Sequence, residues 1–276
     1  MKFAVNENTI MQCDLVDFLQ VCKRAGFSAV EISYAKLKDA LRFLSPQEIV
    51  QELLPMHVLS VNAFEDVFLT PEDSWAAVEA EALLFGELCK SISCPAVVLP
   101  SSRWYDKFGK LPNHDEITRL YRTRLIRMKE LFAPFNVTVM FEPIDFSEFI
   151  VGTVDWTNEI LHTPELSDLP VVPDIHNMYR NGEGSRQLQH LKNPIGIFHI
   201  DDTMPGSVES LHVAKSRMFP GEGVAQADIW IQTVVGMGYN GYYSLELFDD
   251  QIYSMDPQQA ANLCMEKLVA FEKSLL

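Results

Sequence analysis

Short apolar runs alternate along the chain with longer stretches whose apolar residues recur every three or four positions. The short runs are FAVNE (3–7), AVEIS (29–33), VLSVNAF (58–64), AVVLP (96–100), VTVMFE (137–142), PVVPD (170–174), GIFHI (196–200) and YYSLEL (242–247). Their length and apolar content predict strands. Between the first two, DLVDFLQVCKRAGF sets Leu15, Phe18, Leu19 and Cys22 at helical spacing and stops at Gly26. DSWAAVEAEALLFGELCKSI and DEITRLYRTRLIRMKELFAPF are long and helical by period, and DPQQAANLCMEKLVAFEKSLL closes the chain. The helix signal is weaker after the second and sixth strands.

Strands that alternate with helices imply parallel strand–helix–strand units. Eight of them in 276 residues are what an α/β fold of the (β/α)₈ barrel type needs, as one domain over residues 1–276. A doubly wound sheet competes, but it would usually carry a Gly-rich phosphate turn after the first strand, and VNENTIMQ has none. The 47% apolar content supplies a core, and no run of 18 apolar residues predicts a membrane span. The start, MKFAVNENTI, lacks the apolar stretch of a signal peptide. Five scattered cysteines without a CxxC pair fit reduced thiols, so a cytoplasmic location is expected. A net charge of −16 speaks against a nucleic-acid partner and suits a site that holds a cation.

In such a barrel, chemistry gathers at the C-terminal ends of the strands. The fifth predicted strand ends in Glu142, the sixth in Asp174, the seventh reaches His199 and the eighth contains Glu246. Side chains alternate faces with a period of two, so these four share a face with Met140, Val172, Ile197 and Ser244. An acid at one strand end is commonly a helix N-cap, but four polar groups on consecutive strands converge on one mouth. Three carboxylates there need a compensating cation. Hard oxygens with one imidazole suit Mn²⁺, Mg²⁺ or Co²⁺, with Zn²⁺ open. Asp201 and Asp202, in HIDD, are candidates to hold the His199 ring.

The motifs FEP, PDIHNMYR, FHIDD, RMFPGEG and SLELF resemble the xylose-isomerase-like TIM barrels, the sugar isomerase and epimerase superfamily. NEN after the first strand, HIDDT and ELF before DDQIYSMDPQQAA are similar to the inosose (keto-inositol) isomerases. The likeness runs over the whole chain and is most specific in its second half. It implies a divalent metal held by Glu142, Asp174, His199 and Glu246, bound to the oxygens of a keto-sugar or keto-polyol. It implies that Arg217, in SRMFPGEG, faces the site and contacts substrate. One departure stands out: relatives place a His three residues after the sixth-strand Asp, where this chain has Asn177, with His176 one earlier. Either could meet substrate.

The expected reaction is isomerisation or epimerisation through a cis-enediolate, with Glu142 and Glu246 as the catalytic proton carriers. The expected partner is a small sugar or keto-polyol, with no nucleic acid and no membrane, and homo-oligomerisation is left open. A dehydratase of a keto-polyol or dehydroshikimate on the same scaffold is the first alternative. An endonuclease-like phosphodiesterase is disfavoured, because the extra early His ligands are missing. A non-catalytic metal-binding barrel is the third.

Overall fold

The computed structural model describes residues 1–104, 110–144, 149–212 and 214–275. Seven parallel strands form one sheet: β1 (Lys2–Asn6), β2 (Ala29–Ser33), β3 (His57–Asn62), β4 (Ala96–Pro100), β5 (Thr138–Glu142), β6 (Phe198–Ile200) and β9 (Tyr242–Leu245). Their order is β5-β4-β3-β2-β1-β9-β6. A two-stranded antiparallel ribbon, β7 (Asp202–Thr203) with β8 (Arg217–Met218), stands apart from the sheet.

The expected sixth strand, 170–174, appears as single bridges, Val171 to Phe141 and to Ile195 and Asp174 to His199. Pro170, Pro173 and Pro194 explain this. Proline has no N–H to donate to a ladder. The remaining donors still close the barrel. Val172 N–H donates to Phe141 (2.8 Å), Val171 N–H to Pro194 and Gly196 N–H to Val171 (both 2.9 Å). The cylinder therefore runs from β5 through this segment to β6, with eight staves.

The helices between the strands are α1 (Leu15–Ala25), α2 (Tyr34–Ala40), α3 (Pro46–Leu53), α4 (Trp75–Ser91), α5 (His114–Phe132), α6 (Val154–Leu161), α7 (Ile175–Arg180), α8 (Ser185–Leu188) and α9 (Ala227–Gly236). After β9 come α10 (Asp250–Tyr253) and α11 (Pro257–Ser274). The first shows how the sequence sets the ends. Asp14 accepts the Asp17 N–H at the start, and Gly26 stops the helix with a φ of 93°. Its stripe of Leu15, Phe18, Leu19 and Cys22 is fully buried against the sheet. Among the described residues no helix is long and apolar enough to cross a membrane.

Inside the cylinder Val98, Val172 and Ile197 form a buried layer, with Leu59 and Met140 packed on it. Two of the five sit two residues before Glu142 and Asp174, and a third sits two before His199. Those polar groups are therefore one layer higher, at the C-terminal mouth.

Candidate metal centre

Each of the four expected residues reaches the mouth from a different stave. Glu142 is the last residue of β5, His199 the middle of β6, and Glu246 follows β9 directly. Asp174 is the N-cap of α7, and its Oδ1 accepts the Asn177 N–H at 2.7 Å. It thus satisfies both readings of a strand-end acid: one oxygen caps a helix and the other faces the centre. One ligand-type atom from each of the four lies within 4.8 Å of every other. All four residues are buried.

The His199 ring fixes the polarity of the cluster. Its Nε2–H donates to Glu31 Oε1 at 3.0 Å, and Ser60 Oγ–H donates to Glu31 Oε2 at 2.7 Å. Among the described residues its buried Nδ1 has no hydrogen-bond partner. It faces Glu142 Oε1 and Glu246 Oε2, each at 3.4 Å, and Asp174 Oδ2 at 3.9 Å. Three carboxylates around one imidazole nitrogen are short of positive charge. Burial opposes charging the ring, yet Glu31 and Glu246 hold its pKa well above the usual range. Burial pushes the Glu142 carboxyl up to about 7, against the pull of His199. Burial pushes Glu246 the same way, but His199 and Arg217 outweigh it and leave it lowered. A divalent cation at this point would take the Nδ1 lone pair and the facing carboxylate oxygens. The donor set and the unpartnered nitrogen fit one.

The loop around SRMFPGEG is built to deliver Arg217. The ribbon pairs Thr203 with Arg217. Asp202 then gathers the loop: its Oδ1 accepts from Ala225 N–H (2.8 Å) and its Oδ2 from Gly221 N–H (3.1 Å). Gly223 must be glycine, because a Cβ there would meet the Thr203 carbonyl oxygen at 2.3 Å. Arg217 is buried, with Nη1 donating to Asp174 Oδ2 at 2.5 Å and also to Asp201. Its Nη2 lies 3.4 Å from Asn177 Oδ1 and 3.7 Å from Glu246 Oε2. The guanidinium therefore meets two of the three carboxylates that surround His199 Nδ1, Asp174 and Glu246. Above the cluster opens a cavity of about 420 Å³, lined among others by Asn8, Asn62, Glu142, Asn177, Arg217 and Glu246.

A family model of the xylose isomerase-like TIM barrel matches residues 19–268. The chain belongs to that family. An inosose isomerase of Halalkalibacterium halodurans is 25% identical over 274 residues, covering 98% of this chain and 95% of the relative. One of Bacillus subtilis is 26% identical over 269 residues, with 94% of each covered. The crystal structure of the IolI protein with a zinc atom superposes with a TM-score of 0.90 at 22% identity, over 100% of this chain and 99% of that one.

Within this family barrel, the two residues after Asp174 that the sequence leaves as alternatives point differently. Asn177 lines the mouth. The His176 ring is held elsewhere, Nδ1 by Thr203 Oγ1 at 3.0 Å and Nε2 by the His212 carbonyl at 3.2 Å. Burial, then Arg217, pushes its pKa down to about 3, so it is neutral. It ties the ribbon to α7. The acids expected to hold His199 also do something else. Asp201 pairs with Arg217 and accepts the His176 N–H, while Asp202 organises the loop. The group that does hold His199 is Glu31, from AVEIS. Its signal in the sequence is an acid at an inward position of an otherwise apolar strand. Asn6 and Asn8 are likewise additions: their Nδ2 groups donate to Glu246 Oε1 at 3.0 and 3.3 Å.

Proposed function

We propose that this barrel is a divalent-metal-dependent isomerase or epimerase of a sugar or keto-polyol, with an inosose as the first candidate substrate. The observation that carries this reading is the unpartnered His199 Nδ1 facing three carboxylates at the family's chemical end of the barrel. The near full-length relatives named inosose isomerase support the substrate class. Mn²⁺, Mg²⁺ or Co²⁺ suits the oxygen-rich donor set, and Zn²⁺ remains open. Such a cation, bound by Glu142, Asp174, His199 and Glu246, supplies Lewis-acid polarisation of a carbonyl and lowers the pKa of the adjacent C–H.

The chain's own residues do the rest. Glu142 Oε1 and Glu246 Oε2 each lie 3.4 Å from His199 Nδ1, and these two carboxylates are our candidates to remove and return a proton. Asn6 and Asn8 hold Glu246 Oε1, which fixes the carboxylate and leaves Oε2 turned to the centre. Arg217 commits Nη1 to Asp174 and Asp201. The longer contacts of its Nη2 are those a substrate oxygen would compete for. Proton removal from the hydroxyl-bearing carbon next to a ketone gives an enediolate; return to the same carbon from the opposite face gives the epimer, and return to the former carbonyl carbon, with the hydroxyl proton passing to the former carbonyl oxygen, gives the isomer.

The test is a panel of inososes and ketoses with added Mn²⁺ in D₂O, with products read by NMR. An isomer or epimer is expected. A product lighter by one water would assign a dehydratase instead, and metal-loaded protein inert on the whole panel would sink the enzymatic reading. Deuterium in the product marks an exposed proton carrier.

A further inference from the structure

The four candidate ligands come from one half of the barrel, the staves from β5 round to β9. The other half, β1 to β4, lines the same cavity with the amides Asn8 and Asn62 beside Ala63, Glu65, Pro100 and Arg103. Asn6 and Asn8 are occupied by Glu246. Asn62 is not. It ends β3, is 6% exposed, lines the cavity, and among the described residues its Nδ2 has no hydrogen-bond partner. Asn177, 1% exposed and also lining the cavity, likewise has an Nδ2 without a partner among the described residues. Buried amide groups are almost always paired, so two orphans on one cavity ask for a ligand.

We propose that Asn62, facing Asn177 across the mouth, is a specificity-determining residue that reads a hydroxyl of a neutral polyol. It rests on the polyol reading of the site above. β3 lies three staves from the segment that carries Asp174, so Asn62 and Asn177 stand on different walls. A polyol held by its oxygens near His199 must project its far side toward β3. A hydroxyl suits an amide end in either orientation, because it both donates and accepts. A site that hydrogen-bonds a hydroxyl discriminates strongly against the analogue lacking it, since its own polar group is then left buried and unpaired.

The experiment is isothermal calorimetry of myo-inositol and its monodeoxy analogues on Mn²⁺-loaded protein, wild type against Asn62→Leu and Asn62→Ser. Metal content and thermal melts of each variant check that the barrel is intact. Wild type should bind one particular deoxy analogue about 10- to 100-fold more weakly than myo-inositol. Asn62→Leu should bind both equally, at the weaker level, and Asn62→Ser should recover part of the difference. Asn177→Leu should level a different analogue. Asn62→Leu with the wild-type analogue profile overturns the proposal, as does no heat from any of these polyols. The readout is binding, so a protein that binds in this pattern but turns over no inosose would lose the isomerase reading alone.

Discussion

Two buried acid sites in this protein differ in one respect. Glu7, just past β1, is as buried as any residue of the mouth, and burial pushes its carboxyl up to about 7. Yet it is provided for. Ser33 N–H donates to its Oε2 at 2.7 Å, and Lys36 Nζ stands 3.4 Å from its Oε1. At the mouth, Glu142, Asp174 and Glu246 share one imidazole and one guanidinium, and the imidazole keeps a nitrogen with no partner. Burial and a raised carboxyl pKa are common to both places, so neither marks a site. An atom without a hydrogen bond among the described residues is common to both as well, Glu7 Oε1 in one and His199 Nδ1 in the other, so what marks the mouth is the convergence of ligand atoms from four residues.

The comparison breaks most sharply in the proton carriers. Glu142→Gln and Glu246→Gln should each lower kcat about 10²–10⁴-fold with metal still measurable, because an amide oxygen can coordinate but cannot accept a proton at neutral pH. Glu7→Gln should leave turnover and metal content as they are. Steady-state kinetics with elemental analysis decides it. Near-normal turnover in either mouth variant removes that residue from the scheme.

Arg217 separates a pair inside the site from a pair on its rim. Arg217→Ala leaves Asp201 buried, and Asp201 is already held well above the usual range by burial and by Asp174. Breaking a buried pair in this way costs about 3–5 kcal/mol. Lys267 pairs with Glu222 on the outside of the same loop, both half-exposed, and Lys267→Ala should cost under about 1 kcal/mol. Urea unfolding of the metal-free proteins measures both. Equal losses would mean that the Arg217 pairing adds nothing to stability, and recovery in Arg217→Ala with Asp201→Asn would trace the loss to the stranded acid.

Glu7 gives a pH signature of its own. Its folded pKa of about 7 lies above the ordinary 4.5, so the folded state holds a proton that the unfolded state releases between those values. Its stabilising contribution is full below 4.5 and is lost as pH rises to 7, a change of about 3 kcal/mol. Glu7→Gln should remove that slope. Unfolding free energies of wild type and variant at pH 5 and pH 8 should converge on one side only, with the variant relatively more stable at pH 8. Parallel curves would exclude Glu7 as the source.

The same contrast says what the sequence can carry. Period-two alternation places Glu142, Asp174, His199 and Glu246 on one inward face, because each follows an apolar or small residue two before it on the same strand. It carries little about 170–174, whose prolines strip the ladder to bridges, and it misleads just beyond. From Asp174 the chain is helical, so His176 and Asn177 diverge by a helical step and not by a strand flip. The ribbon of two plus two residues is too short to leave a period. Pairings such as His199 with Glu31, 168 positions apart, have no local signature at all.

Glu31 is the residue where the two halves of the comparison meet. Like Glu7 it is a fully buried acid, and both its oxygens are hydrogen-bonded, to the His199 ring and the Ser60 hydroxyl. Unlike Glu7 it spends one partner on the centre. Burial pushes its carboxyl up, but His199 outweighs that and leaves it below the ordinary range, so it stays ionised. An ionised acceptor on Nε2–H fixes the ring's tautomer and would make Nδ1 a better lone-pair donor to a cation held between it and the carboxylates opposite. Glu31→Gln keeps the shape and an acceptor oxygen but removes the charge. It should weaken Mn²⁺ binding about 10- to 100-fold, roughly 1.4–2.7 kcal/mol. Competition with a chelating indicator reads the affinity. Ser60→Ala should move it in the same direction by less, since it removes one neutral donor from a carboxylate that keeps its charge. Wild-type affinity in Glu31→Gln would place Glu31 with Glu7, as an acid satisfied for the sake of the fold.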